Sequence, residues 1–167
     1  MAAGLSLPEE NIPELARRLN DHSGLKEEDF IPVVKIDVPM PLEYITKDLV
    51  REFSVLEPFG KGNPKPLFAE KSFRVLQAAV LGKNRSLVKM LVENEAGIRM
   101  NALWFGQADD FGRFISDAFG VTALEALFRR QGGDIRLALV YYPEINEYMG
   151  QENLQIIVEH MKPAPSA

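Results

Sequence analysis

The spacing of apolar side chains changes once along this chain, from a helical period to that of strands. Ile12, Leu15, Ala16 and Leu19 recur at helical spacing and predict a helix over 11–22, with Asn11 as its N-cap, Pro13 in the first turn and Gly24 ending it. Val33-Val-Lys-Ile-Asp-Val38, bounded by Pro32 and Pro39, predicts a strand, and Ile45 to Leu56 a second helix opened by Thr46. Residues 1–57 thus predict an αβα segment. It is small for an independent domain, hence either an appendage or the tail of a domain whose beginning is missing.

After residue 70 the pattern predicts strands over 73–81, 87–92, 98–105, 135–142 and 154–159. Gly82-Lys-Asn-Arg-Ser86 and Glu93-Asn-Glu-Ala-Gly97 supply turn chemistry between the first three. Between the third and fourth strands, Phe111, Phe114, Ile115, Ala118, Leu124, Leu127 and Phe128 fall at helical spacing. The fold class expected is therefore α+β: a five-stranded OB-fold barrel over 71–162 with a helical insertion between strands three and four, preceded by the αβα segment. Residues 163–167 read as a disordered tail.

The two patterns meet at Leu56-Glu-Pro-Phe-Gly-Lys-Gly-Asn-Pro-Lys-Pro-Leu-Phe68, which packs three prolines and two glycines into thirteen residues. Proline fixes its own φ, glycine admits positive φ, and Asn63 before Pro64 is driven out of the helical region. Residues 58–70 therefore form a stiff junction.

Composition narrows the classes. A chain of 167 residues, 46% hydrophobic and 26% charged, can bury a core. No apolar run approaches the roughly 18 to 20 residues that span a bilayer, and the first residues lack the basic flank and apolar stretch of a secretion signal. A cytoplasmic location, with no membrane partner, is the expectation. Cysteine is absent, which excludes disulfides and thiolate metal sites. The net charge of −5 is uneven: residues 61–99 carry eight Lys/Arg against three Asp/Glu, whereas both flanks are acidic. Segregated charge is the footprint of a phosphate-binding face, although a solvated surface also fluctuates in this way.

The string LEPFGKGNPKPLF over 56–68 resembles the signature preceding the C-terminal domain of the RecJ family of single-strand-specific DNA exonucleases. Ala2-Ala-Gly4 is similar to the end of that family's GGH-x-x-A-A-G motif, and Val34-Lys-Ile-Asp37 with the helix after it to the segment bridging to the barrel. Asn101-Ala-Leu-Trp-Phe-Gly106 resembles its third-strand ending, and Pro143 to Gly150 with Leu154-Gln-Ile156 its fourth-to-fifth-strand loop. The junction string and the Ile145-Asn-Glu-Tyr148 loop are specific; the barrel pattern alone is not. The resemblance implies a C-terminal fragment, truncated just after the GGH motif. The metal-dependent DHH domain, with two divalent ions, usually manganese, would then lie outside it, and no cofactor is expected in the fragment.

The residues themselves offer no catalytic set. His22 and His160 are not spaced as paired ligands, Asp109-Asp110 diverge on a helix and suit its N-terminal dipole, and Glu27-Glu-Asp29 reads as a solvated turn. No nucleophile–base pair or Gly-rich phosphate loop is present, so a free-standing hydrolase is not indicated.

Lys83 and Arg85, on the turn between strands one and two, and Lys89 and Arg99, outward on strands two and three, are candidate phosphate contacts, the alternative being ordinary surface cations. Alternation puts Val88, Met90 and Val92 inward on strand two, and Ile98, Met100, Ala102 and Trp104 on one side of strand three, with the register at Trp104 and Phe105 left open. Tyr148, on the long loop between strands four and five, is the preferred base-stacking candidate ahead of Tyr141 and Tyr142; Glu144 and Glu147 beside it would repel phosphate. Lys61 and Lys65 flank Gly62-Asn63-Pro64, whose amides could meet a phosphate or serve only as architecture. The reading is a single-stranded-DNA-binding OB module of a RecJ-like 5′-to-3′ exonuclease acting in DNA repair and recombination. The alternative is a scaffolding or protein-interaction module that docks a helicase or a single-strand-binding protein.

Overall fold

A computed structural model describes residues 4–31, 33–131 and 133–165. Of the expectations above, those on Ala2 and Ala3, on Pro32 and on Ser166 and Ala167 lie outside the described residues. The chain divides into two compact units, the first ending at Val34 and the second starting at Lys35.

In the first unit α1 spans Ile12–His22. Its face of apolar residues buries nothing to completion, and its order is local: Arg17 bridges Glu14 and Asp21, and Arg18 also reaches Glu14. Asn11 makes no capping bond, because a 3-10 turn over Glu9–Asn11 already carries it into helical φ/ψ.

The second unit holds one six-stranded mixed sheet. Its strands are β1 (Val38–Pro39), β2 (Phe68–Leu81), β3 (Leu87–Asn94), β4 (Arg99–Phe105), β5 (Arg136–Tyr148) and β6 (Gln151–Pro163). They lie in the order β1-β2-β3-β4-β6-β5, and β2 pairs with β5 as well, so the hydrogen bonding returns from the last strand to the second. Only β1–β2 and β4–β6 are parallel. One long strand can join both neighbours because it is irregular: β2 shifts register near Leu76 against β3 and between Glu70 and Phe73 against β5.

Inward positions alternate as the pleat requires. Phe73, Val75, Ala78, Val88, Met90, Val92, Met100, Ala102, Leu137, Leu139, Tyr141, Ile156 and Val158 form the core, closed by α3 (Ala108–Phe119) and α4 (Val121–Phe128) through Phe111, Ile115 and Leu127. The insertion is two helices rather than one continuous run, since Gly120 at φ +90° turns the chain between them.

Three further expectations change. The strand expected over Val33–Val38 shrinks to Val38–Pro39. β3 pairs with β2 only from Phe73 onward, and on the stretch of that edge before it the chain pairs at Phe68 and Ala69 alone, while Val33 is 91% exposed. The second helix is shorter: α2 (Lys47–Glu52), capped by Thr46, whose hydroxyl accepts from Leu49 N, gives way to a 3-10 turn over Phe53–Leu56. Leu42 and Ile45 are buried in the core and Phe53 stacks on Phe68 at 5.4 Å, so this segment completes the sheet's packing instead of standing apart. Finally, the loop expected after Tyr142 is a continuous ladder, with Tyr148 paired to Gln151 around a two-residue turn at Met149 and Gly150. At the other end of this ladder Pro163 is still paired and Ala164 N donates to Arg136 O at 2.9 Å.

Candidate nucleic-acid interface

The outer face of β2, β3 and β4 is ordered in rows that register fixes. Leu81, Leu87 and Phe105 lie across from one another, then Ala79, Lys89 and Leu103, then Gln77, Leu91 and Asn101, then Glu93 and Arg99. Trp104 points inward against Phe111, with ring centroids 6.0 Å apart, and Phe105 points outward, 64% exposed. That settles a register the sequence left open, and the reason is local. A side chain on Gly106 would collide with the Trp104 ring, so the indole folds back over the bare glycine.

Lys83 and Arg85 sit on the turn at the Leu87 end of this face, where Arg85, at φ +52°, forms part of the bend. Lys89 follows two residues along β3. Arg99 lies at the opposite end, six residues down β3's partner, or about 20 Å away at the rise of a strand. The structure thus brings Lys83, Arg85 and Lys89 to one end and leaves Arg99 apart. Two of the four cations already face carboxylates: Arg85 lies 3.5 Å from Asp109, and Arg99 Nε donates to Glu93 at 2.6 Å. Lys83 and Lys89 have no ion-pair partner among the described residues.

Tyr148 projects at the tip of the β5–β6 hairpin, 65% exposed, beyond the Arg99 end. Tyr141 is buried instead. Its ring meets Phe73 edge-on, its hydroxyl donates to Met40 O, and burial pushes its pKa above the ordinary phenol value. Tyr142 is covered by Phe53, Phe59 and the Lys65 ammonium, 4.8 Å from its ring centre. Neither can offer a face to a base. Lys61 occupies the tip of a tight turn closed by paired bonds between Gly60 and Asn63, and the Asn63 amide donates to Leu56 O and Pro58 O. These bonds account for the architectural side of the junction.

Sequence reasoning missed Arg130. It follows α4 at φ +61° and reaches the outer face beside β2, where it lines a depression with Gln77, Ala79, Leu81, Lys89, Leu91 and Asn101. Its place depends on how α4 packs on β2, which no local pattern encodes. Among the described residues no three His, Asp or Glu side chains gather as metal ligands, and no helix is long and apolar enough to cross a membrane.

The family model for the RecJ OB domain matches residues 36–160. The chain belongs to the RecJ OB-domain family. It is 40% identical over 98 residues to the single-stranded-DNA-specific exonuclease RecJ of Bacillus subtilis, covering 58% of this chain and 12% of that one. To the Escherichia coli exonuclease of the same name it is 31% identical, over 98% of this chain and 25% of the relative. The crystal structure of Thermus thermophilus RecJ in complex with Mn2+ has the same fold, with a TM-score of 0.61 at 20% identity over 98% of this chain and 21% of that one. The chain therefore spans about a quarter or less of the length of these relatives. The boundary of the RecJ OB-domain match at residue 36 falls beside the start of the second compact unit at Lys35.

Proposed function

We propose that this chain is the single-stranded-DNA-binding part of a RecJ-like 5′-to-3′ exonuclease of DNA repair and recombination, and that its paired strands form the closed five-stranded barrel of an OB fold. The observation that carries the reading is the pair Lys83 and Lys89, cations with no carboxylate partner among the described residues, at the edge of an outward strip of β2–β4 lined with Leu81, Leu87 and Phe105. Phosphates neutralise such cations, and unstacked bases cover such apolar side chains. Acidic groups bound the strip on its far side, where Glu144 receives Gln155 Nε2 and Glu159 is exposed on β6. That directs a strand toward β2–β4. Arg99 and Tyr148 would then meet a longer strand beyond the strip, and Lys61 and Lys65 a strand leaving for the catalytic domain. That domain, with its two divalent ions, manganese by resemblance, would belong to chain outside this sequence; among the described residues no three His, Asp or Glu side chains gather as metal ligands. In this scheme the barrel grips DNA in the cytoplasm while the distant domain cleaves.

The test is a fluorescence titration of labelled oligothymidine at low and physiological salt. For about three phosphate contacts the logarithmic salt slope should be near −2. Lys83→Glu with Lys89→Glu should weaken low-salt binding by about tenfold or more and flatten that slope. No binding of a long strand at low salt rejects the proposal.

The ion pairs of Arg85 and Arg99 favour a second reading, a docking module for a helicase or a single-strand-binding protein, because paired cations contribute less to phosphate binding. Unchanged DNA affinity in the double lysine variant would support it.

A further inference from the structure

Three side chains that the binding scheme does not use meet on the outer sheet face. Gln77, Leu91 and Asn101 are directly opposite one another on β2, β3 and β4, so two amides stand about 10 Å apart with an isobutyl group between them. They line a depression of about 280 Å³ together with Ala79, Leu81, Lys89 and Arg130. That is just below the roughly 300 to 1,000 Å³ of sites that engulf drug-sized ligands, which suits a single ring system.

The amides make this more than an apolar dent. A half-buried amide on a sheet face ordinarily bonds its neighbours, yet among the described residues neither the Gln77 nor the Asn101 side chain has a hydrogen-bond partner. Both cations at the rim, Lys89 and Arg130, likewise face no carboxylate there. A flat apolar floor, two unoccupied amides and two unpaired cations on either side match a flat, amide-edged ring on an anionic chain.

We propose that this depression seats one unstacked nucleobase of the bound strand: the base face lies on Leu91 and Ala79, its edge is hydrogen-bonded by Gln77 and Asn101, and the flanking phosphates meet Lys89 and Arg130. The proposal rests on the single-strand-binding reading and deepens it. The strand crosses between β3 and β2 instead of following one of them, because Lys89 lies on β3 and Arg130, after α4, reaches the face beside β2. Each amide carries both a donor and an acceptor, so the seat satisfies the edge of any base. Bases are therefore required here but not discriminated.

The unmodified chain supplies the first test. Labelled oligothymidine is compared with a strand of equal length in which alternate nucleotides are abasic, at one low salt concentration. The intact strand should bind about tenfold more tightly, as expected from losing two hydrogen bonds and an apolar contact. Gln77→Ala with Asn101→Ala should reduce that preference by the share of the two hydrogen bonds while leaving the salt slope of the abasic strand unchanged. Arg130→Ala should weaken both strands alike and reduce the slope. Emission from the single tryptophan, Trp104, verifies that the variants keep the fold. Equal binding of intact and abasic strands, or a preference undiminished in the double alanine variant, overturns the base seat but leaves single-strand binding standing. Failure of both strands to bind removes the underlying reading and the seat with it.

Discussion

At the scale of single residues, electrostatic context matters more than charge count. Glu70 illustrates this on the connector side of the sheet, where its carboxylate accepts from Leu42 N at 3.1 Å. Burial is the largest influence and holds its pKa above the ordinary 4.5, opposed by the Leu42 amide and Asn94 and reinforced by Glu43 and Glu95. A carboxyl with a raised folded pKa contributes stability that is complete below 4.5 and lost as pH rises through the folded value. Glu70→Gln should match the parent in acid and exceed it at neutral pH, by less than about 1 kcal/mol after solvent screening. Urea midpoints on the two sides of that interval measure it. Tyr141 contributes differently, since its hydroxyl ties the buried end of β5 to Met40 O. Tyr141→Phe should cost about 1 kcal/mol in the same assay by leaving that carbonyl without its donor.

At the scale of elements, two glycines shape the fold, one by turning the chain and one by leaving room for a ring. Gly120 links α3 to α4 at φ +90° and ψ 157°, a region that side chains avoid. Gly120→Ala should destabilise the fold by about 1 to 3 kcal/mol, seen as a lower denaturant midpoint at unchanged slope. Gly106 acts through space instead, because any Cβ there meets the Trp104 ring. Gly106→Ala should expel the indole from its contact with Phe111, costing about 1 to 3 kcal/mol and shifting the tryptophan emission to longer wavelength. The β5–β6 hairpin is held at its side by Glu152, which receives Arg51 at 2.6 Å and lies 3.6 Å from Lys47. Those cations, the Arg51 hydrogen bond first, draw the Glu152 pKa below its ordinary value.

At the scale of the molecule, stability resides in the second unit. Residues described before Lys35 bury no side chain, whereas Leu42, Ile45 and the strands share one core. A chain beginning at Lys35 should therefore unfold in a single transition at the same midpoint as the full chain, as read by far-ultraviolet circular dichroism. The order of strands and helices, the inward sets Val88-Met90-Val92 and Met100-Ala102 and the Thr46 cap were all legible in the sequence, because pleat, helical period and capping act over a few residues. So was membership of the RecJ family, which the junction string carries in consecutive positions. Local pattern failed where a segment needs a partner. Val33–Val38 alternates like a strand but only Val38 of it pairs with β2, and the run after Tyr142 reads as a loop until β6 pairs with it. The candidate interface divides in the same way: alternation turns Lys89 and Arg99 outward, but only the fold sets Glu93 against Arg99 and carries Arg130 to a depression shared with Gln77 and Asn101. Short-range sterics and hydrogen bonding write the elements into neighbouring residues. Which charges are cancelled, and which distant side chains share a site, depends on chain packing that brings together positions far apart in sequence.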